Sequence, residues 1–127
     1  MHAIAIQLRM LQLYSHEAHH EITGEAFFAD HEFLGEAYLA YEDAYDKVVE
    51  RMIGLGVPVN HKELAQKAVD AFPSGQDWFV VLLDEERNLR MLILDEFKDA
   101  NIGTQNLLSQ IADDSEVRTF KMGQRTK

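Results

Sequence analysis

The chain has 127 residues, no cysteine, and 22 acidic against 12 basic side chains, a formal net charge of -10 at neutral pH. That length suits a single domain, residues 1–127, with one core, and the lack of cysteine excludes disulfides, thiolate chemistry and Cys-ligated metal sites, so any metal must be held by imidazole and carboxylate. So acidic a chain repels phosphate backbones and anionic membranes and makes cations the natural partners.

From Ile4 to about Ile22 the residues Ile4, Leu8, Leu11 and Ile22 recur at helical spacing, with Ile6, Met10 and Leu13 widening the stripe, until Gly24 interrupts. A longer pattern starting near Asp30 carries Leu34, Tyr38, Tyr41, Tyr45, Val48 and Met52 on one side, flanked by Ala37 and Ala44, and is stopped by Gly54, Gly56 and Pro58. A short unit from Lys62 to about Phe72 has a weak apolar face of Leu64, Ala65, Ala68 and Val69 before Pro73 and Gly75 break the chain. Asp77 is placed to cap the next helix, whose stripe is Trp78, Phe79, Leu82, Leu89, Ile93 and Phe97. Asn101 and Gly103 separate it from a last helix beginning near Thr104, with Leu107, Leu108, Ile111 and Val117, that frays before a polar tail from Gly123 to Lys127. Valines in these segments favour strands locally, but the helical period outweighs local propensity. The expected fold is all-α, four substantial helices with a short fifth in the middle connection. No apolar run approaches the roughly 18 residues needed to span a bilayer, no signal-like segment opens the chain, and the expected location is the cytoplasm.

The densest polar cluster runs from Ser15 to Glu21 and contains His16, Glu17 and His20 in the frame His-Glu-x-x-His. Zinc proteases use that frame because imidazoles at i and i+4 share a helix face. They also need a third ligand and a substrate cleft, for which this chain has little material; a solvated polar helix end is the plainer alternative. A second cluster is His31, Glu32 and Glu36, and a third is Glu42, Asp43, Asp46 and Glu50. Asp46 and Glu50 are an i,i+4 carboxylate pair that repels by roughly a few tenths of a kcal/mol unless a cation lies between them; without a cation they are an acidic solvent stripe.

The stretch from His19 to Glu32, HHEITGEAFFADHE, resembles the His-Trp-aliphatic-basic-Gly-x-x-Phe-Phe-x-x-His-Glu signature of the Dps-like miniferritins. The stretch from Asp46 to Gly56 is similar to that family's Asp-x-x-x-Glu-Arg-hydrophobic segment, at the family's usual spacing from the second histidine, and Gly103 to Leu108 resembles the start of its last helix. The resemblance implies a ferritin-like four-helix bundle with a short extra helix in the middle connection. It also implies that His19, His31, Asp46 and Glu50 are the metal ligands and catalytic residues of a ferroxidase centre. His16 and His20 match no ligand position. His20 replaces the family's usual tryptophan, and Gly35 stands where many members carry a further acidic residue at a second iron position.

On one continuous helix His31 and Asp46 are 15 residues apart, or roughly 22 Å along the axis. Bonds from divalent ions to ligands are about 2 Å, so one chain cannot bring both residues to one ion, whereas an antiparallel two-fold mate can, with two equivalent sites per dimer. The absence of a Glu-x-x-His pair in the last two helices argues against a centre inside one bundle, as other ferritins have it. Imidazole with carboxylate suits Fe(II), and carboxylate stabilises Fe(III). The expected activity is therefore iron binding, oxidation of Fe(II) by hydrogen peroxide or dioxygen and storage of ferric product, with iron (Fe2+/Fe3+) the only metal implied. The resemblance further implies a homo-oligomer, a dodecamer built from two-fold dimers. The alternative is a non-enzymatic metal-binding shell protein of the same fold. Asp95, Glu96, Asp99, Asp113 and Asp114 are candidates for an acidic route by which iron reaches the interior.

DNA binding, which relatives achieve with Lys-rich arms, is not expected. Only Lys121, Arg125 and Lys127 form a basic set, just downstream of Asp113, Asp114 and Glu116. In a mobility-shift titration at about 0.15 M salt, where charges are screened beyond about 8 Å, the metal-free protein is expected to give no tight retardation; tight binding lost on deleting residues 121–127 would reverse this expectation.

Overall fold

The computed structural model describes residues 1–75 and 77–127. It consists of five helices, α1 (His2–Glu21), α2 (Phe27–Gly54), α3 (His61–Asp70), α4 (Trp78–Phe97) and α5 (Ile102–Arg125), with no strand among the described residues. The chain is thus all-α, a ferritin-like four-helix bundle with α3 as the short extra helix in its middle connection.

Local sequence accounts for the boundaries. α2 ends in a Schellman arrangement, with Val57 N–H donating to the Met52 carbonyl at 2.9 Å and Gly56 N–H to that of Ile53 at 3.0 Å. The motif requires a left-handed residue, which Gly56 supplies at φ +77°. Asn60 caps α3 by accepting from Glu63 N–H, and Asp77 caps α4 by accepting from Phe79 and Val80 N–H. α1, α2 and α5 each begin a few residues before the apolar pattern does, because a first turn carries orphan amides and needs no buried face.

The Met1 amine meets Glu96 at 3.0 Å and the Tyr14 ring packs on Trp78, so α1 and α4 run antiparallel. Asp30 at the start of α2 binds Arg125 at the end of α5, so that pair is antiparallel too. α1–α2 and α4–α5 are likewise packed neighbours. With every adjacent pair antiparallel, α2 and α4 must point the same way, and the connection from Leu55 to Asp77 has to return along the bundle. α3 rides on α1 along this path, where it buries Leu64 and Ala68; Ala65 and Val69, expected on the same face, are exposed.

The core contains Ile4, Leu8 and Leu11 of α1, Leu34, Tyr41, Val48 and Met52 of α2, Phe79, Leu82, Leu89 and Ile93 of α4, and Leu108, Ile111 and Met122 of α5. α5 departs from the expected stripe: Val117 is exposed, and Ser115 is buried. The reason lies in Glu86, fully buried on α4. Its carboxylate accepts from Arg118 Nε at 2.6 Å and Nη2 at 3.2 Å, and from the Ser115 hydroxyl at 3.4 Å. Arg90 donates to Ser115 and Thr119, and the Arg118 guanidinium lies 4.5 Å from the centre of the Tyr41 ring. A polar ladder therefore occupies the stretch of α5 where apolar residues were expected. The Tyr41 hydroxyl is buried beside the Glu86–Arg118 pair, and burial, with the Glu86 charge adding to the effect, pushes its pKa up.

The C-terminal end also differs from expectation. α5 does not fray before Gly123 but continues to Arg125, whose guanidinium forms a two-pronged pair with the buried Asp30 at 2.9 Å on each arm. One of the three basic residues assigned to a free tail is thus part of the fold.

Removing one member of a buried ion pair strands the other charge, at about 3–5 kcal/mol. Glu86→Ala and Arg118→Ala are each expected to lower the free energy of denaturant unfolding by that order.

Candidate metal centre

The turn between α1 and α2 brings His19 and His31 face to face. Their rings stack with centroids 3.7 Å apart and planes 18° from parallel. His19 Nδ1 lies 2.8 Å from the His31 carbonyl, and His31 Nδ1 lies 2.8 Å from the His19 carbonyl. A carbonyl oxygen can only accept, so both Nδ1 atoms carry the proton. In the neutral rings the lone pairs are consequently on Nε2, the tautomer in which a histidine ligates metal while its other nitrogen is held by a backbone carbonyl. Phe27 stacks on the outer face of His31 at 5.0 Å, and both histidines are half-buried.

Gly35, one turn after His31, is the floor of this arrangement. A Cβ there would lie 3.1 Å from His19 Cε1 and 3.4 Å from its Nδ1. A side chain can be added only if the His19 ring gives way by a few tenths of an ångström. The glycine that departs from the family pattern therefore admits the imidazole pair so closely against α2, and no carboxylate is available at that position.

Asp46 and Glu50 are exposed on α2. Because α2 is one uninterrupted helix from Phe27 to Gly54, they stand roughly 22 Å or more along the axis from His31. Accordingly, no group of three or more His, Cys, Asp or Glu side chains able to hold a metal is found among the described residues of the single chain. The neighbouring cations are engaged elsewhere: Lys47 pairs with Asp43 at 2.9 Å, and Arg51 donates to Thr104 at 3.2 Å.

The His-Glu-x-x-His frame does not build a protease site. The His16 ring stacks on Tyr38 at 4.1 Å and 10°, and lies 4.6 Å from His20. Its pKa is held below the ordinary histidine value by burial, with His20 and His19 adding to the effect. Of the residues considered for an iron route, Asp95, Asp99, Asp113 and Asp114 are exposed, whereas Glu96 is half-buried and holds the Met1 amine. Asp114 shares a shallow groove with Glu36, Arg118 and Lys121.

No helix among the described residues is long and apolar enough to cross a membrane. No protein-family model matches the chain, and no curated protein matches it. The all-α bundle is compatible with the ferritin superfamily.

In long-range proton–nitrogen spectra at pH 7.5, His19 and His31 are both expected as Nδ1–H tautomers. Gly35→Ala should displace the His19 signals while leaving the helical content unchanged; Nε2–H tautomers in the parent protein would contradict the reciprocal pairing.

Proposed function

We propose that the protein binds Fe(II) at sites shared between two copies of the chain, with His19 and His31 from one copy and Asp46 and Glu50 from the other, and oxidises it to Fe(III). The observation that carries this reading is the reciprocal pairing of His19 and His31, which holds each Nδ1 on a backbone carbonyl and leaves both Nε2 atoms unengaged by that pairing.

The shape of α2 supports the sharing. In an antiparallel pair of such helices, with His31 of one opposite the Asp46–Glu50 turn of the other, the two-fold axis passes the middle of the helix near residues 39 and 40. Both are exposed and apolar: Leu39, at 56% exposure, and Ala40. An exposed leucine there gives the mate something to cover. Toward the ends, Phe28 is 85% exposed and Ile53 is 55% exposed, so apolar contacts flank the ligand positions on the same helix.

In the proposed reaction two Fe(II) ions each lose one electron to hydrogen peroxide, which with two protons becomes two waters; dioxygen is the alternative acceptor. The carboxylates favour the more highly charged product. Storage of that product would be in a closed assembly, for which a dodecamer is the proposed form, and the acidic chain would draw iron toward it. DNA is not among the proposed partners. A metal-binding shell without turnover is the second reading, favoured by the absence of an acidic side chain at Gly35, which removes one means of holding a second iron.

Ferric absorbance after adding Fe(II) and peroxide is expected to rise rapidly in the parent protein and to be lost in His31→Ala and in Asp46→Ala. When these two variants are mixed and allowed to exchange subunits, one site per mixed dimer regains every ligand, so part of the rate should return. Activity absent from the parent protein would support the shell reading, and no recovery after demonstrated exchange would refute the shared site.

A further inference from the structure

The iron reading leaves a second pair of imidazoles on α1 unused. His16 and His20 are at i and i+4, and their ring centroids are 4.6 Å apart with planes 41° from parallel. Two nitrogens that each bond one ion at about 2 Å lie roughly 3 Å from one another, a separation that rings at this distance reach by small rotations about their side-chain bonds. The two rings differ in freedom. His16 is half-buried and pinned flat against Tyr38 at 4.1 Å, so one ligand is already oriented, whereas His20 is exposed and free to close on an ion.

The pair is separate from the His19–His31 centre. His19 is drawn toward α2 by its bond to the His31 carbonyl, and its ring lies 6.2 Å from that of His16 and 5.6 Å from that of His20, against 4.6 Å within the pair. The electrostatics favour a cation: Glu42, one turn beyond Tyr38 on the same face of α2, is held by Gln12 Nε2 at 2.7 Å, and Glu17 is exposed beside His16.

We propose that His16 and His20 form a binding site for a late divalent transition metal, copper(II) most tightly and zinc(II) less so, independent of the iron centre. Two imidazoles without a fixed carboxylate ligand make a softer donor set than the mixed one proposed for iron, and for such sites affinity rises from Fe(II) to Cu(II) and falls again at Zn(II). Because only two protein ligands converge, water completes the coordination. The bound ion is therefore exchangeable, unlike a protease zinc, which has three protein ligands.

The test is a titration of the metal-free full chain with Cu(II) and, separately, Zn(II) at pH 7.5, combined with electron paramagnetic resonance of the copper form. The variants are His20→Ala and His16→Phe, the latter keeping a ring stacked on Tyr38. Expected are one high-affinity copper per chain with nitrogen splitting from two imidazoles, and an affinity about tenfold or more weaker in both variants. The Asp46→Ala, Glu50→Ala double variant should bind this copper like the parent. Unchanged copper affinity in both histidine variants would overturn the proposal. So would copper binding lost in His19→Ala and His31→Ala but intact in His16→Phe, since the ion would then occupy the other pair. Because Asp46 and Glu50 take no part here, loss of iron oxidation in their variants with copper binding intact separates the two sites, whichever reading fails.

Discussion

α2 is a single helix of 28 residues, about 42 Å long, and its continuity sets the distance between the two halves of the proposed iron site. A kink or break would let His31 approach Asp46 within one chain, but α2 has no proline, its interior Gly35 stays helical, and its inner face is tied down along its length by Leu34, Tyr41, Val48 and Met52. The same rigidity that packs the bundle thus prevents the chain from assembling four ligands by itself.

The interior of the bundle is taken up by other chemistry. Glu86 is fully buried and its negative charge is met by Arg118, with Ser115 adding a hydroxyl. Such a pair contributes little net stability relative to apolar residues of the same size, since desolvation offsets the attraction. What it does is make α4 and α5 register against each other in one way, because a slip of either helix would leave a buried charge alone. It also places a guanidinium against Tyr41, in the region where an internal metal site would need carboxylates free to ligate. The residues proposed to bind iron accordingly lie in the turn between α1 and α2 and on the outer side of α2.

Much of the fold was legible because it rests on local rules. Periodicity gave the four long helices and the short fifth, and the capping role of Asp77 was readable from its position before Trp78. What could not be read was any feature that depends on two distant side chains meeting. Val117 fits an apolar stripe in the sequence, and only Glu86, 31 residues earlier, explains why Ser115 and Arg118 face inward in its place. Arg125 looked like a free tail charge until Asp30 was found across the bundle. At the site, the identities of His19 and His31 were visible in the motif, but their tautomers follow from backbone carbonyls, which carry no sequence signature. In sequence Gly35 marks only a missing carboxylate, whereas its effect in space is to let the His19 ring lie against α2.

The charge pattern on α2 joins these observations. Glu32, Glu36, Glu42, Asp43, Asp46 and Glu50 are all exposed on one helix; Lys47 pairs with Asp43, and Arg51 donates to Thr104. Asp46 and Glu50 precede the last turn of α2, which ends at Gly54, so the main local cost of the pair is its own i,i+4 repulsion, about a few tenths of a kcal/mol. Lysine or arginine at either one would remove that repulsion. In the proposed antiparallel dimer this carboxylate pair would face the His19–His31 pair of the mate, and a shared divalent cation would remove the repulsion between Asp46 and Glu50.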